Sequence, residues 1–142
     1  MLYWSYVFFG EDKVLKRLII GITGASGAIL GVRLLEWLNK SGIETHLIIS
    51  KWGRQTLEHE TNFSYEDIMK MTNFIYNSGD MAAPISSGSF ITDGMIIVPC
   101  SMSSLASISF GNAQTLIQRA ADVIIKEKRK LVLVPREIPL SI

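Results

Sequence analysis

Cysteine is nearly absent from this 142-residue sequence, in which Cys100 stands alone. A single cysteine excludes an internal disulfide bond and is typical of a protein in the reducing cytoplasm. The sequence also lacks any group of cysteines and histidines with the spacing of metal ligands. We interpret the two histidines, His46 and His59, as packed or surface residues, and we expect no metal ion and a cytoplasmic location.

Charge is also scarce, since charged residues make up 19% of the sequence and the net charge is +1. This composition gives no electrostatic reason to expect nucleic acid or an anionic membrane as a partner. The apolar residues 1–10 lack the basic start and the cleavage site of a signal peptide. They are also far shorter than the roughly 20 residues that span a bilayer. We therefore expect no membrane segment, and we interpret residues 1–16 as an N-terminal extension of a domain at 17–142.

Hydrophobic residues make up 48% of the full sequence, and after residue 16 apolar runs alternate with helical patterns. Strands are predicted at residues 18–22, 45–49, 94–98 and 131–134, with a further short strand at 74–76. Helices are predicted at residues 28–39, 54–60, 64–71 and 113–125, and directly after residue 104. Strands that alternate with helices predict an α/β fold with a parallel sheet.

The stretch from Leu18 to Leu30 is the most informative part of the sequence. A predicted strand ends in a turn of small residues, and a helix follows at once, which is the layout of a nucleotide- or flavin-phosphate site. Gly24 and Gly27 can take positive φ and let the backbone approach a ligand, and Ser26 adds a hydroxyl. The alternative is an ordinary tight turn in which Ser26 is the N-cap of the helix.

Polar groups follow four of the predicted strands. They occur at residues 23–27, at Ser50, at residues 101–104 and at residues 136–137. The carboxyl ends of parallel strands meet at one edge of a sheet, where ligands bind in such folds. Hydroxyls, backbone N–H groups and one guanidinium suit a phosphate-bearing cofactor better than a metal.

Two common nucleotide-binding motifs do not fit. A dinucleotide fingerprint would need a third glycine where Leu30 stands, and an acidic residue where Ser50 and Lys51 follow the second strand. No Tyr-x-x-x-Lys pair is present, which argues against a short-chain dehydrogenase. No Gly-Lys-Ser/Thr sequence follows the glycine turn, so the chain is not a P-loop protein.

Several stretches together resemble the flavin prenyltransferases, the UbiX-like group also known as phenylacrylic or aromatic acid decarboxylases. The resemblance extends from about residue 16 to residue 140. It rests on Gly-Ile-Thr-Gly-Ala-Ser-Gly-Ala at 21–28, His-Leu-Ile-Ile-Ser at 46–50, Glu-His-Glu-Thr at 58–61, Ile-Ser-Ser-Gly-Ser at 85–89, Val-Pro-Cys-Ser-Met at 98–102, Arg-Ala-Ala-Asp-Val at 119–123 and Lys-Glu-Lys-Arg-Lys-Leu-Val-Leu-Val-Pro-Arg-Glu-Ile-Pro-Leu at 126–140.

The resemblance implies a flavodoxin/Rossmann-like, three-layer fold with helices on both faces of a parallel sheet. It implies a homo-oligomer, a trimer-based dodecamer in the family, with active sites at subunit interfaces. Such enzymes bind reduced FMN and join to it the dimethylallyl group of dimethylallyl phosphate. The prenylated FMN then serves a UbiD-type decarboxylase, and no metal is used.

The resemblance also implies site residues. By it, FMN would contact Gly24, Ala25, Ser26, Ser50, Ser101, Met102, Ser103, Ser104 and Arg136. Arg119, Lys126 and Arg136 match the basic positions near the leaving phosphate, and Glu137 matches a proton donor to it. Ser26 and Glu60 match a polar relay for the flavin N5 proton.

The chain departs from the family pattern after Leu140, where family members continue with a further strand and helices. We therefore expect a C-terminally truncated member. Smaller departures are Met81 where the family often has an aromatic residue, and Gln114 and Thr115 where it has Asp-Asn. Two alternatives stay open: an inactive or FMN-binding-only fragment, and a related cysteine-decarboxylase-type flavoprotein.

Overall fold

The structure, a computed structural model, describes residues 16–140. Five parallel strands form one sheet in the order β3-β2-β1-β4-β5. The strands are β1 Arg17–Ile22, β2 Glu44–Ile49, β3 Phe74–Asn77, β4 Gly94–Cys100 and β5 Lys130–Pro135. The helices are α1 Ala28–Lys40, α2 Lys51–Glu60, α3 Tyr65–Lys70, α4 Met102–Ser109 and α5 Leu116–Lys126. The predicted α/β fold with a parallel sheet is confirmed.

Helices cover both faces of the sheet, and each face has its own core. Neighbouring residues of β1 point to opposite faces, so Ile20 packs with α1, α2 and α3 while Ile19 packs with α4 and α5. Both residues are buried, which explains why β1 is a continuous apolar run rather than an alternating one. The predicted three-layer arrangement is therefore the one observed.

Capping residues decide where two helices begin, and here the predicted bounds are wrong by three residues. Helix α2 begins at Lys51 instead of Arg54, because the Ser50 side chain accepts a hydrogen bond from the Gly53 N–H. Helix α5 begins at Leu116 instead of Ala113, because Thr115 and Gln118 form a capping box.

Two other predicted helix boundaries are confirmed. Ser64 and Asp67 form a capping box at the start of α3. Gly42, just past α1, has φ of 68°, a conformation that glycine adopts without strain.

The long loop between β3 and β4 packs against the α5 face of the sheet. It contains a 3₁₀ turn at Pro84–Ser86, and its residues Ala83 and Ile85 are buried. The predicted N-terminal extension lies outside the described residues apart from Lys16, whose carbonyl accepts a hydrogen bond from the Glu44 N–H. Among residues 16–140, no helix combines the length and the apolar character needed to cross a bilayer.

Candidate functional site

The carboxyl ends of the strands place four polar segments along one edge of the sheet. These are the β1–α1 turn, Ser50 after β2, the Ser101 region after β4, and Arg136 after β5. Because β1 lies between β2 and β4, its turn is flanked by Ser50 on one side and by Ser101 on the other. The parallel topology thus assembles the segments that the sequence singled out.

The β1–α1 turn is fastened to the end of β4 through Thr23. The Thr23 hydroxyl donates to the Pro99 carbonyl oxygen at 2.7 Å and accepts from the Ser101 N–H at 2.8 Å. The Thr23 N–H also bonds to the Pro99 carbonyl oxygen, at 3.2 Å. Thr23 is buried, so these bonds fix the turn relative to the start of α4 without competition from water.

On its other side the turn meets the end of α2, where Glu60 contacts three consecutive residues. One carboxylate oxygen accepts from the Ser26 hydroxyl at 2.5 Å. The other accepts from the backbone N–H groups of Gly27 and Ala28, at 2.8 and 3.3 Å. Glu60 therefore caps the N-terminus of α1, and the alternative in which Ser26 is the N-cap is wrong, since Gly27 occupies that position without a side-chain cap.

The contacts of Glu60 lower its pKa below the ordinary value of a glutamate. The hydrogen bond from Ser26 is the largest cause, followed by the bond from the Gly27 N–H, and Arg136 adds a smaller Coulombic attraction. The positive end of the α1 dipole acts in the same direction. Glu60 is therefore ionised at neutral pH, and the Ser26 hydroxyl, which donates to it, keeps its lone pairs for another donor.

Gly24 and Gly27 are needed for different reasons. Gly27 has φ of 98°, as predicted. Gly24 does not have positive φ, so that part of the prediction is wrong. A Cβ atom on Gly24 would lie 2.5 Å from the Cβ of Trp52, and the Gly24 carbonyl accepts from the Thr56 hydroxyl at 3.2 Å. Close packing of α2 on the turn is therefore what requires glycine at position 24.

Ser50 and Ser101 are N-caps, which leaves the first N–H groups of α2 and α4 at the edge of the sheet. The Ser101 hydroxyl accepts from the Ser104 N–H at 3.2 Å and donates to the Ser104 hydroxyl at 3.0 Å. Beside them, the Arg136 N–H bonds to the Cys100 carbonyl at 3.1 Å, which places the exposed Arg136 at the end of β4.

Ala25, Met102, Ser103 and Glu137 complete the predicted set at this edge. Ala25 lies in the β1–α1 turn beside Ser26, and Met102 and Ser103 form the first two positions of α4. Glu137 follows Arg136 after β5 and is half-buried.

Arg119 and Lys126 belong to a second group, on α5. Both bond to Asp122, at 3.2 Å from Arg119 and 2.9 Å from Lys126. Helix α5 packs on the face of the sheet opposite to α1 and α2. The structure therefore does not bring Arg119 and Lys126 together with Ser26 and Glu60 within one chain. Asp122 was not among the predicted residues, although its spacing of three and four residues from the two cations signals the contacts.

A groove of about 460 Å³ opens beside Ser50, between α2, α3 and the end of β3. Its lining is mostly polar and includes Lys51, Arg54, Tyr76 and Asn77. The groove extends the polar edge of the sheet beyond β2.

The two histidines lie where the sequence predicted. His46 is buried in β2, with Nδ1 2.9 Å from the Tyr76 hydroxyl and Nε2 2.8 Å from Glu44 Oε1. His59 is exposed on α2. Among the described residues, no group of three or more histidine, cysteine, aspartate or glutamate side chains could hold a metal ion.

Comparison with known proteins gives a family match over most of the chain. The model of a family described as Flavoprotein matches residues 10–138. A relative from Bacillus subtilis (strain 168), named a probable UbiX-like flavin prenyltransferase, is 54% identical over 132 residues. The match covers 93% of this chain and 64% of the relative, so the chain spans less than two thirds of the length of that protein.

Two solved structures share both fold and sequence with the chain. AnUbiX (PadA1), in complex with FMN and dimethylallyl pyrophosphate, has a TM-score of 0.88 and 49% identity, over 89% of this chain and 68% of that one. A dodecameric FMN-dependent UbiX-like decarboxylase from Escherichia coli O157:H7 has a TM-score of 0.86 and 57% identity, over 88% and 68% of the two chains.

Proposed function

The chain belongs to the Flavoprotein family and, within it, to the UbiX-like flavin prenyltransferases, and from that premise we propose that it binds FMN at the polar edge of its sheet. The proposed contacts are the β1–α1 turn, the two capped helix starts and the guanidinium beside them. The residues are Gly24, Ala25, Ser26, Ser50, Ser101, Met102, Ser103, Ser104 and Arg136.

The donors at this edge suit a flavin phosphate. Helices α2 and α4 present free N–H groups and their positive dipole ends, an arrangement that favours an anion. Ser50, Ser101 and Ser104 supply hydroxyls, and Arg136 supplies a charge.

For the reaction we propose transfer of a dimethylallyl group from dimethylallyl phosphate to reduced FMN. The reduced flavin supplies the nucleophile, and the N5 proton must leave it. Ser26 is oriented to accept that proton, because its own proton is directed to the ionised Glu60 at 2.5 Å. As the Ser26 oxygen takes up the N5 proton, its original hydroxyl proton passes to the Glu60 carboxylate, so that the pair works as a relay.

The leaving phosphate needs cations and a proton. We propose Arg119, Lys126 and Arg136 as the cations, since positive charge near a departing phosphate stabilises the transition state. Glu137 is the proposed proton donor. Asp122 lies about one helical turn from each of the two α5 cations, which are themselves about two turns apart, and both side chains bond to the same carboxylate oxygen. Their charges therefore converge, which suits a shared phosphate.

Assembly of several copies of the chain would bring the α5 cations and the Ser26–Glu60 pair together. Arg119 and Lys126 lie on one helical layer and the Ser26–Glu60 pair on the other. We propose a homo-oligomer in which the α5 cations of one copy face the Ser26–Glu60 pair of the next. The similar Escherichia coli O157:H7 protein is dodecameric. We propose a UbiD-type decarboxylase as the recipient of the prenylated FMN. We also propose the cytoplasm as the location of the chain, in keeping with its single, buried thiol.

The observation that carries this proposal is the Ser26–Glu60 contact at the N-terminus of α1. The test is anaerobic incubation of the chain with reduced FMN and dimethylallyl phosphate, followed by mass spectrometry of the released flavin. We expect a flavin heavier by one prenyl unit from the unsubstituted chain, and at least about tenfold less product from Glu60→Gln and Ser26→Ala.

Glu58→Gln is the matched control, because Glu58 lies on the same helix, is exposed and pairs with Arg54. Its product yield should equal that of the unsubstituted chain. Unchanged FMN that stays bound to the unsubstituted chain would support the alternative of an FMN-binding fragment. A chain without any bound flavin would contradict the proposal.

A further inference from the structure

Three alternate carbonyl groups of the loop before β4 are held by arginines from one helix and the turn that follows it. The Ser86 carbonyl accepts from Arg119 Nε at 3.2 Å. The Gly88 and Phe90 carbonyls accept from the two terminal nitrogens of Arg129, at 2.7 and 2.9 Å. Bonds of this kind to a charged donor are stronger than neutral ones.

Residues 84–90 form two consecutive turns, in which the Ser87 N–H bonds to the Pro84 carbonyl and the Phe90 N–H to the Ser87 carbonyl. These turns leave the carbonyls of Ser86, Gly88 and Phe90 to the two arginines. The hydroxyls of Ser87 and Ser89 bond to each other at 2.9 Å, and both residues are exposed. Guanidinium groups therefore hold three carbonyls of the loop, whereas the side chains of its two outer serines are exposed.

The loop meets the end of α5 at Gly88. A Cβ atom there would overlap the carboxylate of Glu127, the C-cap residue of α5. Arg129 reaches the loop because the chain reverses at Lys128, which has φ of 55°. The planar fork of arginine fits two neighbouring carbonyls, which a single ammonium group matches less well.

The same loop also orients Arg119. With Nε on Ser86 and one terminal nitrogen on Asp122, two sides of the Arg119 guanidinium are committed. The orientation of Arg119 therefore depends on where the Ser86 carbonyl lies. That carbonyl is two residues from Gly88, which Arg129 holds.

We propose that Arg129 is a positioning residue: by holding the Gly88 and Phe90 carbonyls, it keeps Ser86 in place and so aims Arg119 at the phosphate of the prenyl donor. The inference rests on the proposed function of Arg119. Arg129 itself bonds to the loop and has no role in the chemistry. Loss of its contacts should weaken the binding of dimethylallyl phosphate and leave the transfer step unchanged once the donor is bound.

The test compares Arg129→Met and Arg129→Lys with Lys128→Asn in the full chain. Lys128→Asn removes one positive charge next to Arg129, and asparagine tolerates the left-handed backbone of position 128. Hydrogen–deuterium exchange at residues 86–90 measures how firmly the contacts of Arg129 hold the loop. Calorimetry with dimethylallyl phosphate measures donor binding, and steady-state prenyl transfer separates KM from kcat.

We expect Arg129→Met to exchange faster at residues 86–90, to bind dimethylallyl phosphate about tenfold more weakly and to raise KM with little change in kcat. Arg129→Lys should recover part of the loss, and Lys128→Asn should match the unsubstituted chain in all three measurements.

Unchanged exchange in Arg129→Met would overturn the inference, and so would faster exchange without weaker donor binding. Equal effects in Lys128→Asn would mean that net charge, and not the hydrogen bonds of Arg129 to the loop, sets the affinity for the donor. That result would also overturn the inference. An unsubstituted chain that binds dimethylallyl phosphate but makes no prenylated flavin would contradict the proposed function instead.

Discussion

The hydroxyl of Thr23 accepts a hydrogen bond from the Ser101 N–H at 2.8 Å and thereby joins the turn after β1 to the start of α4. The same hydroxyl donates to the Pro99 carbonyl, so one buried oxygen serves two segments of the candidate site. Removal of that oxygen leaves the Pro99 carbonyl of β4 and the N–H of Ser101, the N-cap of α4, with fewer partners, which is costly in a buried position.

Thr23→Val should therefore lower the free energy of unfolding by about 1–3 kcal/mol, the usual cost of leaving a buried polar group unpaired. Urea unfolding of the two proteins gives this difference. Thr92→Val is the matched control, because the Thr92 hydroxyl is buried and, among the described residues, has no hydrogen-bond partner. That substitution should leave stability unchanged or raise it, and an equal loss in both variants would contradict the explanation.

Acidification should destabilise the protein through His46. Burial is the main cause that holds the pKa of His46 below its ordinary value, Arg17 adds to it, and the bond to Glu44 opposes it. The unfolded chain therefore binds a proton at a higher pH than the folded one, and stability falls as pH drops from about 6.5 through the folded pKa.

The free energy of unfolding, measured at about pH 7.5 and about pH 5.5, should be lower at the acidic value. The groups that face His46 are Glu44, Tyr76 and the apolar rings of Phe74 and Phe90. His46→Gln should reduce this pH dependence, whereas His59→Gln, at an exposed position, should retain it. A slope that survives in His46→Gln would assign the effect to another group.

Gly24→Ala should weaken FMN binding by about tenfold, since the added Cβ meets Trp52 Cβ at 2.5 Å and α2 must move away from the turn. Fluorescence titration with FMN measures the affinity. Gly42→Ala is the comparison: position 42 has φ of 68° and open space, so alanine there costs about 1 kcal/mol of stability. FMN affinity should stay unchanged in Gly42→Ala, and a loss in both variants would point to general destabilisation.

Cys100 should resist thiol reagents while the protein is folded. Its side chain is fully buried at the end of β4, and burial raises the pKa of the thiol, so little thiolate is available. We expect labelling with a disulfide reagent to be at least about 100-fold slower in buffer than in denaturant, because reaction requires local opening. Equal rates would show that the end of β4 opens readily.

The elements of the fold were predictable because their signals are local. The continuous apolar runs of β1 and β4 indicate strands buried on both faces, and the structure confirms them. The starts of α2 and α5 were misplaced because the caps at Ser50 and Thr115 override the hydrophobic pattern. The roles of the candidate site residues stay predictions, although the parallel sheet does place the four strand ends at one edge.

The sequence by itself determined the alternation of strands and helices, the glycine-containing turn after β1 and the family to which these motifs belong. Only the tertiary structure decided that Glu60 caps α1, that Gly24 serves packing, and that Arg119 and Lys126 lie on the opposite face from Ser26. The reason is that a strand or a turn depends on neighbours in the chain. A contact such as Ser26–Glu60 joins residues 34 positions apart and exists only once α1 and α2 have packed on the same sheet.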